Sequence, residues 1–349
     1  MTKKILISLL FLITYMTISA QSNAITASED TTINVISWFN KNDTTEYTYK
    51  KQVMVINNDD TTRTNSIEHD FRVNVVDSTS NGYRLQYQTL SWKADNEQDS
   101  LRYGFQMAIG GDKPLVFTTN GYGQIEHLEN WREIRNESMP GIMTFFDVIY
   151  AKHPGLDSIM PKRNLINLIK LGMNSEDEVK DLFPSMISLF SLHGRSFTIG
   201  LTHNDAPANG CGYPVESTTI VSYEKADTAD TADTESHNGD YVIRNNATMT
   251  MSGSDTKELA STMAGVFLSE DTANKLDSII GDSLNVPLEI RVLTDYHYFY
   301  SAWPKQIRKQ TIVTLGDIMT KVTTENIEWN RYRWNEYDKD NDNGDAKSL

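Results

Sequence analysis

Asp70-Phe71-Arg72-Val73-Asn74-Val75-Val76, the connection Asp77-Ser78-Thr79-Ser80-Asn81-Gly82, and Tyr83-Arg84-Leu85-Gln86-Tyr87-Gln88-Thr89-Leu90-Ser91-Trp92 are the stretch on which the fold turns. Both arms alternate apolar and polar residues, the period of an extended strand whose side chains point to opposite faces. With a glycine closing the connection, the spacing predicts an antiparallel hairpin that buries one face and wets the other. Downstream, Leu115 to Thr119 and Gln124 to Leu128 flank Asn120-Gly121-Tyr122-Gly123. Glycines tolerate positive φ, so this predicts a second hairpin.

Working outward, Ile33 to Asn57 has strand composition, and the period changes after Trp131. From there to about Leu192 short helices are expected: Gly141 to Tyr150, Lys162 to Leu171 closed by Gly172, and Glu176 to Leu192. Ser175 and Glu178 have the spacing of a capping box, and Pro184 should divide the last helix. Strands return at Arg195 to Leu201, Ser217 to Glu224 and Tyr241 to Met251. A helix beginning near Asp255 and Glu258 should stop at Gly281, and strands are again expected over Leu288 to Tyr300 and Lys309 to Glu325. Strands and helices come in runs and do not alternate singly, which argues against a doubly wound parallel sheet. The expected fold is α+β: a large curved antiparallel sheet, half-barrel-like, with a helical insertion packed on one face.

The chain opens with Lys3 and Lys4, an apolar run from Ile5 to Met16, and the small residues Ser19 and Ala20. That order predicts an export signal over residues 1–20, too short in its apolar part for the roughly 20 residues that span a bilayer. The expected organisation continues with a flexible N-terminus at 21–30, one α+β domain at 31–335 and a disordered acidic tail at 336–349. The expected localisation is extracytoplasmic, periplasmic or secreted, with no stable membrane span after signal cleavage.

The formal charge is −15, and losing two lysines with the signal makes it more negative. Nucleic acid is held chiefly through Lys and Arg, so no nucleic-acid partner is expected. Cys211 is the single cysteine, which excludes an intrachain disulfide and any multi-cysteine metal centre. The Ala226 to Thr234 repeat is acidic and without apolar anchors, as expected of a solvated loop. Asp338 to Asp345 starts like a calcium loop but has Asn343 where the loop needs glycine, and the chain ends before a second helix. No phosphate loop, zinc-helix or nucleophile-elbow motif occurs. Accordingly no catalytic residue, metal ligand or cofactor is nominated, and an enzyme is not the favoured class.

Two apolar features remain. Ile142-Met143-Thr144-Phe145-Phe146-Asp147-Val148-Ile149-Tyr150 is apolar almost all round, so it has two sides to bury. One side could pack on the sheet while another lines a hydrophobic cavity, which makes Met143, Phe145, Phe146 and Ile149 candidate ligand contacts. In Asp295-Tyr296-His297-Tyr298-Phe299-Tyr300, both faces of a strand carry aromatics, as a central strand covered on both sides would. Tyr298 joins the candidates because a buried phenol needs a polar partner.

The layout resembles the curved half-barrels of periplasmic lipid and lipoprotein carriers, the group containing LolA and the mycobacterial LppX-like proteins. The likeness lies in the export signal, the hairpin from Phe71 to Trp92, the helical stretch from Gly141 to Leu192 and the late strands ending with Thr311 to Val322. On its Asn/Asp/Thr-rich composition and the Trp303-Pro304 turn, the chain is also similar to uncharacterised exported Bacteroidetes proteins. The first resemblance implies a soluble protein that binds a hydrophobic or lipid-like ligand under a helical cap. The alternatives from the residues are an envelope or surface module whose partner is an envelope protein, and a hydrolase.

Overall fold

The structure, a computed structural model, describes residues 31–57, 60–94, 113–207, 213–224, 239–267 and 286–333. The expected signal, Cys211, the Ala226 to Thr234 repeat, the helix end near Gly281 and the acidic tail lie outside the described residues.

The alternating arms pair as their pattern demands. β2 (Thr44–Asn57), β3 (Asp60–Thr79), β4 (Gly82–Ala94), β5 (Leu115–Thr119) and β6 (Ile125–Leu128) form one antiparallel meander. β8 (Gly200–Pro207), β9 (Pro214–Tyr223), β10 (Tyr241–Met251), β11 (Leu288–Tyr298), β12 (Pro304–Leu315) and β13 (Met319–Arg333) form a second. Pairing of β13 with β2 fuses them into one open eleven-stranded sheet among the described residues, ordered β6-β5-β4-β3-β2-β13-β12-β11-β10-β9-β8. It is the expected half-barrel-like α+β sheet. β1 (Thr32–Asn34) pairs separately with β7 (Ser196–Thr198), so the strand composition from Ile33 to Asn57 is divided between β1 and β2.

Because β6 and β8 are the opposite edges of the sheet, the chain between them has to cross it. That crossing is helical: α1 (Trp131–Lys152), α2 (Leu156–Ile159), α3 (Lys162–Leu171), α4 (Glu176–Lys180) and α5 (Pro184–Phe190). The Ser175 and Glu178 capping box starts α4, and Pro184 opens α5 after a break, both as expected. α1 starts ten residues before the expected Gly141 and runs through Pro140. Proline removes one intrahelical bond, but Ile134, Ser138, Ile142 and Phe146, at four-residue spacing, bury one continuous stripe across it. That burial outweighs the lost bond. α6 (Gly253–Phe267) packs Leu259 and Ala260 against the other end of the same face.

The face that carries the helices is the inner face. The outer face is polar and laced by cross-strand pairs such as Arg72–Glu46 at 2.5 Å and Lys93–Glu68 at 3.0 Å. The expectation that β11 is covered on both sides is corrected by this arrangement. On its outer side His297 meets Glu224 at 2.6 Å rather than a second layer, and Phe299 and Tyr300 lie beyond the strand end. The turn after β5 brings Gly123 so close to its neighbours that a Cβ there would fall 1.9 Å from Ser37 Oγ. Its φ of +92° suits glycine as well.

Candidate functional site

Strand pairing aligns inward side chains into rows that run across the sheet. One row reads Tyr49, Ile327, Ile307, Tyr296, Ile243 and Val221 from β2 to β9, each residue paired with the next. Around it lies the aromatic field beneath the helices. Phe71 stacks between Tyr47 and Tyr87, at centroid distances of 5.4 and 4.9 Å, and Phe117 meets Phe190 of α5 edge-on at 5.4 Å. The roof is also tied by polar contacts. The Tyr87 hydroxyl meets Ser185 Oγ of α5 at 2.8 Å and the His69 ring at 3.2 Å. Burial pushes the Tyr87 phenol up to about 12 and the His69 imidazole down to about 4.

At the β10–β11 side of this field Tyr298 stacks on Tyr241 at 5.3 Å and lies parallel to Tyr296 at 6.2 Å. Tyr298 and Tyr241 are buried, and neither hydroxyl has a hydrogen-bond partner among the described residues. Burial, followed by the neighbouring hydroxyls of Tyr296, Tyr241 and Tyr47, holds the Tyr298 phenol well above its ordinary range, with Arg195 opposing. A buried hydroxyl left unpaired costs roughly 1–3 kcal/mol.

One step along every strand the character changes. The next inward row reads Lys51, Glu325, Lys309, Thr294, Asn245, Thr219 and Thr202, directly paired from β2 to β8, and all seven are polar. Lys51 Nζ lies 3.0 Å from Glu325, and the Tyr49 hydroxyl donates to the same carboxylate at 2.6 Å. Burial raises the Glu325 carboxyl, but Lys51 and Lys309 beside it, with the hydrogen bonds from Tyr49 and Lys51, bring it down to about 2. No carboxylate among the described residues lies within ion-pair distance of Lys309. Beyond the row the inner face becomes mainly apolar again, through Val53, Val292 and Ala247 with Thr323 and Thr311 among them, to Val55, Val313, Ile290, Met249 and Val215 near α6, where Lys321 is buried between Val55 and Val313. A polar strip thus separates two apolar fields, each with its own helical cover.

The structure brings some of the expected contacts together. Phe146 is buried in the field beneath α1, Phe145 packs against it, and Tyr298 belongs to the adjoining cluster. Met143 and Ile149 are half-buried on α1. The polar row escaped sequence reading, although a signal existed: Lys51 interrupts the in-phase series Tyr47, Tyr49, Val53, Val55, and Lys309 interrupts Ile307, Val313. Only the register puts these interruptions side by side.

Among the described residues no group of three or more His, Cys, Asp or Glu could hold a metal ion, and no helix is long and apolar enough to cross a membrane. No family model matches the chain, and no curated protein does. Among solved structures the chain is similar to one titled "Lipid-protein interactions in lipovitellin", with TM-score 0.38 and 10% identity over 85% of this chain and 26% of that one. The chain therefore spans about a quarter of that protein. A second similarity is to the COG4313 outer membrane channel from Pseudomonas putida F1, with TM-score 0.13 and 7% identity, covering 84% of this chain and 98% of that chain.

Proposed function

We propose that this protein binds a hydrophobic or lipid-like molecule on the inner face of its sheet, beneath the helical crossing. The observation that carries the reading is the boundary between the Tyr49–Ile327–Ile307–Tyr296–Ile243 row and the Lys51–Glu325–Lys309–Thr294–Asn245 row. An amphiphile has an apolar body and a polar end, and this boundary offers one surface for each. The unpaired hydroxyls of Tyr241 and Tyr298 add polar groups within the apolar part. The helices reach this surface by crossing from one sheet edge to the other, and so form its cover. Export to an extracytoplasmic compartment fits a carrier of this kind.

The test is uptake of N-phenyl-1-naphthylamine, a neutral apolar dye, by the folded protein. Saturable binding is expected, and Met143→Ala or Phe145→Ala should weaken it more than it lowers stability. Phe146→Ala, at a buried position, should lower stability by roughly 3 kcal/mol or more. Absence of saturable uptake by protein that still unfolds cooperatively would overturn the reading.

A second reading has its own observation. Trp38, Tyr122 and Tyr300 are exposed large aromatics on three loops. Backbone bonds from Ser37 N to Tyr122 O at 3.1 Å and from Trp38 N to Ser301 O at 3.2 Å hold those loops together. Such a patch suits an interaction with another macromolecule. Retention of a host envelope protein by the native chain, lost in the variant with Trp38→Ala and Tyr300→Ala, would favour this reading over the first.

A further inference from the structure

We infer that the polar row selects an amphiphile with an anionic head group, a carboxylate or a phosphate, and that Lys309 is the residue that receives it. The inference rests on the proposed binding of a lipid-like molecule and deepens it. The row places two ammonium groups, Lys51 and Lys309, on either side of one carboxylate, Glu325, so its formal charge is positive inside a chain whose total is −15. An anion is repelled by the exterior and attracted to this strip, a contrast that sets where on the protein it binds.

Glu325 is already matched: Lys51 lies 3.0 Å away and Tyr49 donates at 2.6 Å. Lys51 is thereby committed. Lys309 influences Glu325 through space, yet no carboxylate among the described residues lies within ion-pair distance of it. It is therefore the cation of the row with donor capacity to spare. Thr294 stands directly opposite it on β11, and Thr311 follows two residues along its own strand on the same face. An ammonium with hydroxyls beside it makes a suitable cradle for anionic oxygens, which take charge-assisted hydrogen bonds from the one and ordinary ones from the others.

Ile307 precedes Lys309 on the inner side of β12, and Tyr296 faces Ile307 across the ladder, so the charge sits at the border of the aromatic field. A head group bound at Lys309 leaves its chain pointing toward Ile307, Tyr296 and the roof formed by α1 and α5. A neutral amphiphile could occupy the same apolar surface but would leave the ammonium unmatched, which is how the site would discriminate.

The experiment compares displacement of N-phenyl-1-naphthylamine by palmitate, hexadecanol and palmitoyl lysophosphatidate from the wild type, Lys309→Met and Lys309→Arg. Melting curves verify that each variant is folded. In the wild type, palmitate or lysophosphatidate should displace the dye at about tenfold lower concentration than hexadecanol, the change one charge-assisted contact produces. The tighter of the two anions identifies the head group. Lys309→Met should abolish the preference while leaving hexadecanol unchanged, and Lys309→Arg should retain it. Equal displacement by acid and alcohol in the wild type would overturn the inference while the binding of lipid-like molecules stood, and so would a Lys309→Met variant that weakens all three alike. Failure of the dye itself to bind would overturn the proposed function and this inference together.

Discussion

Two neighbouring rows of the same face, one strand step apart, are built on opposite principles. In the first, Tyr49, Ile327, Ile307, Tyr296 and Ile243 join a field in which Tyr47, Phe71 and Phe117 are wholly buried. In the second, Lys51, Glu325, Lys309, Thr294 and Asn245 put charge and hydroxyls where a sheet of this size would ordinarily continue its core. The first row stabilises by removing apolar surface from water. The second does not, since burying charged and polar groups costs about as much as their pairing returns. The difference teaches that the aromatic field holds the fold together, while the polar row adds little to it and is free to serve the recognition proposed above.

The comparison breaks most visibly at Phe71. Replacing it with alanine removes a fully buried ring between Tyr47 and Tyr87 and should cost roughly 3–5 kcal/mol in denaturant unfolding. A loss below about 1 kcal/mol would show that the aromatic field is not the core.

Acid should also act on the first row's side before the second's. Burial holds His69 and His193 at about 4, below their ordinary 6.5, so each is neutral when folded. As pH falls from about 6.5 to about 4, the unfolded chain takes up protons the folded one refuses. Stability should therefore fall by roughly 3 kcal/mol for each histidine across that window. Glu325 is shifted in the same direction but by neighbouring lysines rather than by burial: held at about 2 against an ordinary 4.5, it adds stability above 4.5 that is lost as pH falls toward 2. Equilibrium unfolding at several pH values checks both. The histidine contribution should vanish in the variant His69→Phe combined with His193→Phe, and a persistent loss between 6.5 and 4 would contradict the assignment.

In the second row, Glu325→Gln leaves Lys51 without its counter-charge and should cost roughly 1–2 kcal/mol, since both side chains keep some contact with water. The smallest effect sharpens the comparison furthest. Thr294→Val replaces a buried hydroxyl with a methyl group and should leave the melting temperature unchanged or raise it, because the hydroxyl adds little to the fold. A loss of more than about 1 kcal/mol would mean that the polar row is structural after all.

Much of the sheet was legible because alternation is a local property. β5 and β10 occupy the residues their pattern specified, and the hairpin of β3 and β4 contains both quoted arms with longer ends. The helical crossing was legible as helix, and the capping box and Pro184 marked two of its boundaries correctly. Its start was not, because Pro140 reads locally as a boundary while the stripe from Ile134 to Phe146 is satisfied only by the sheet beneath it. The polar row was illegible for a deeper reason. Lys51 and Glu325 lie far apart in the chain and meet only through the pairing of β2 with β13, which no local pattern specifies. Tyr298 could be singled out from its strand, whereas its stack with Tyr241 depends on the β10–β11 register.

The central claim is that an amphiphile lies across the boundary between the two rows, its head at Lys309 and its chain in the aromatic field. Photolabelling tests it most directly, using a palmitate analogue with a diazirine at the end of its chain and mass spectrometry to locate the adduct. Labelling is expected on α1, α5 or the inward residues near Tyr296 and Tyr298, suppressed by excess palmitate. Labelling confined to outward residues such as Leu201 and Ile220, or labelling that excess palmitate leaves untouched, would contradict it.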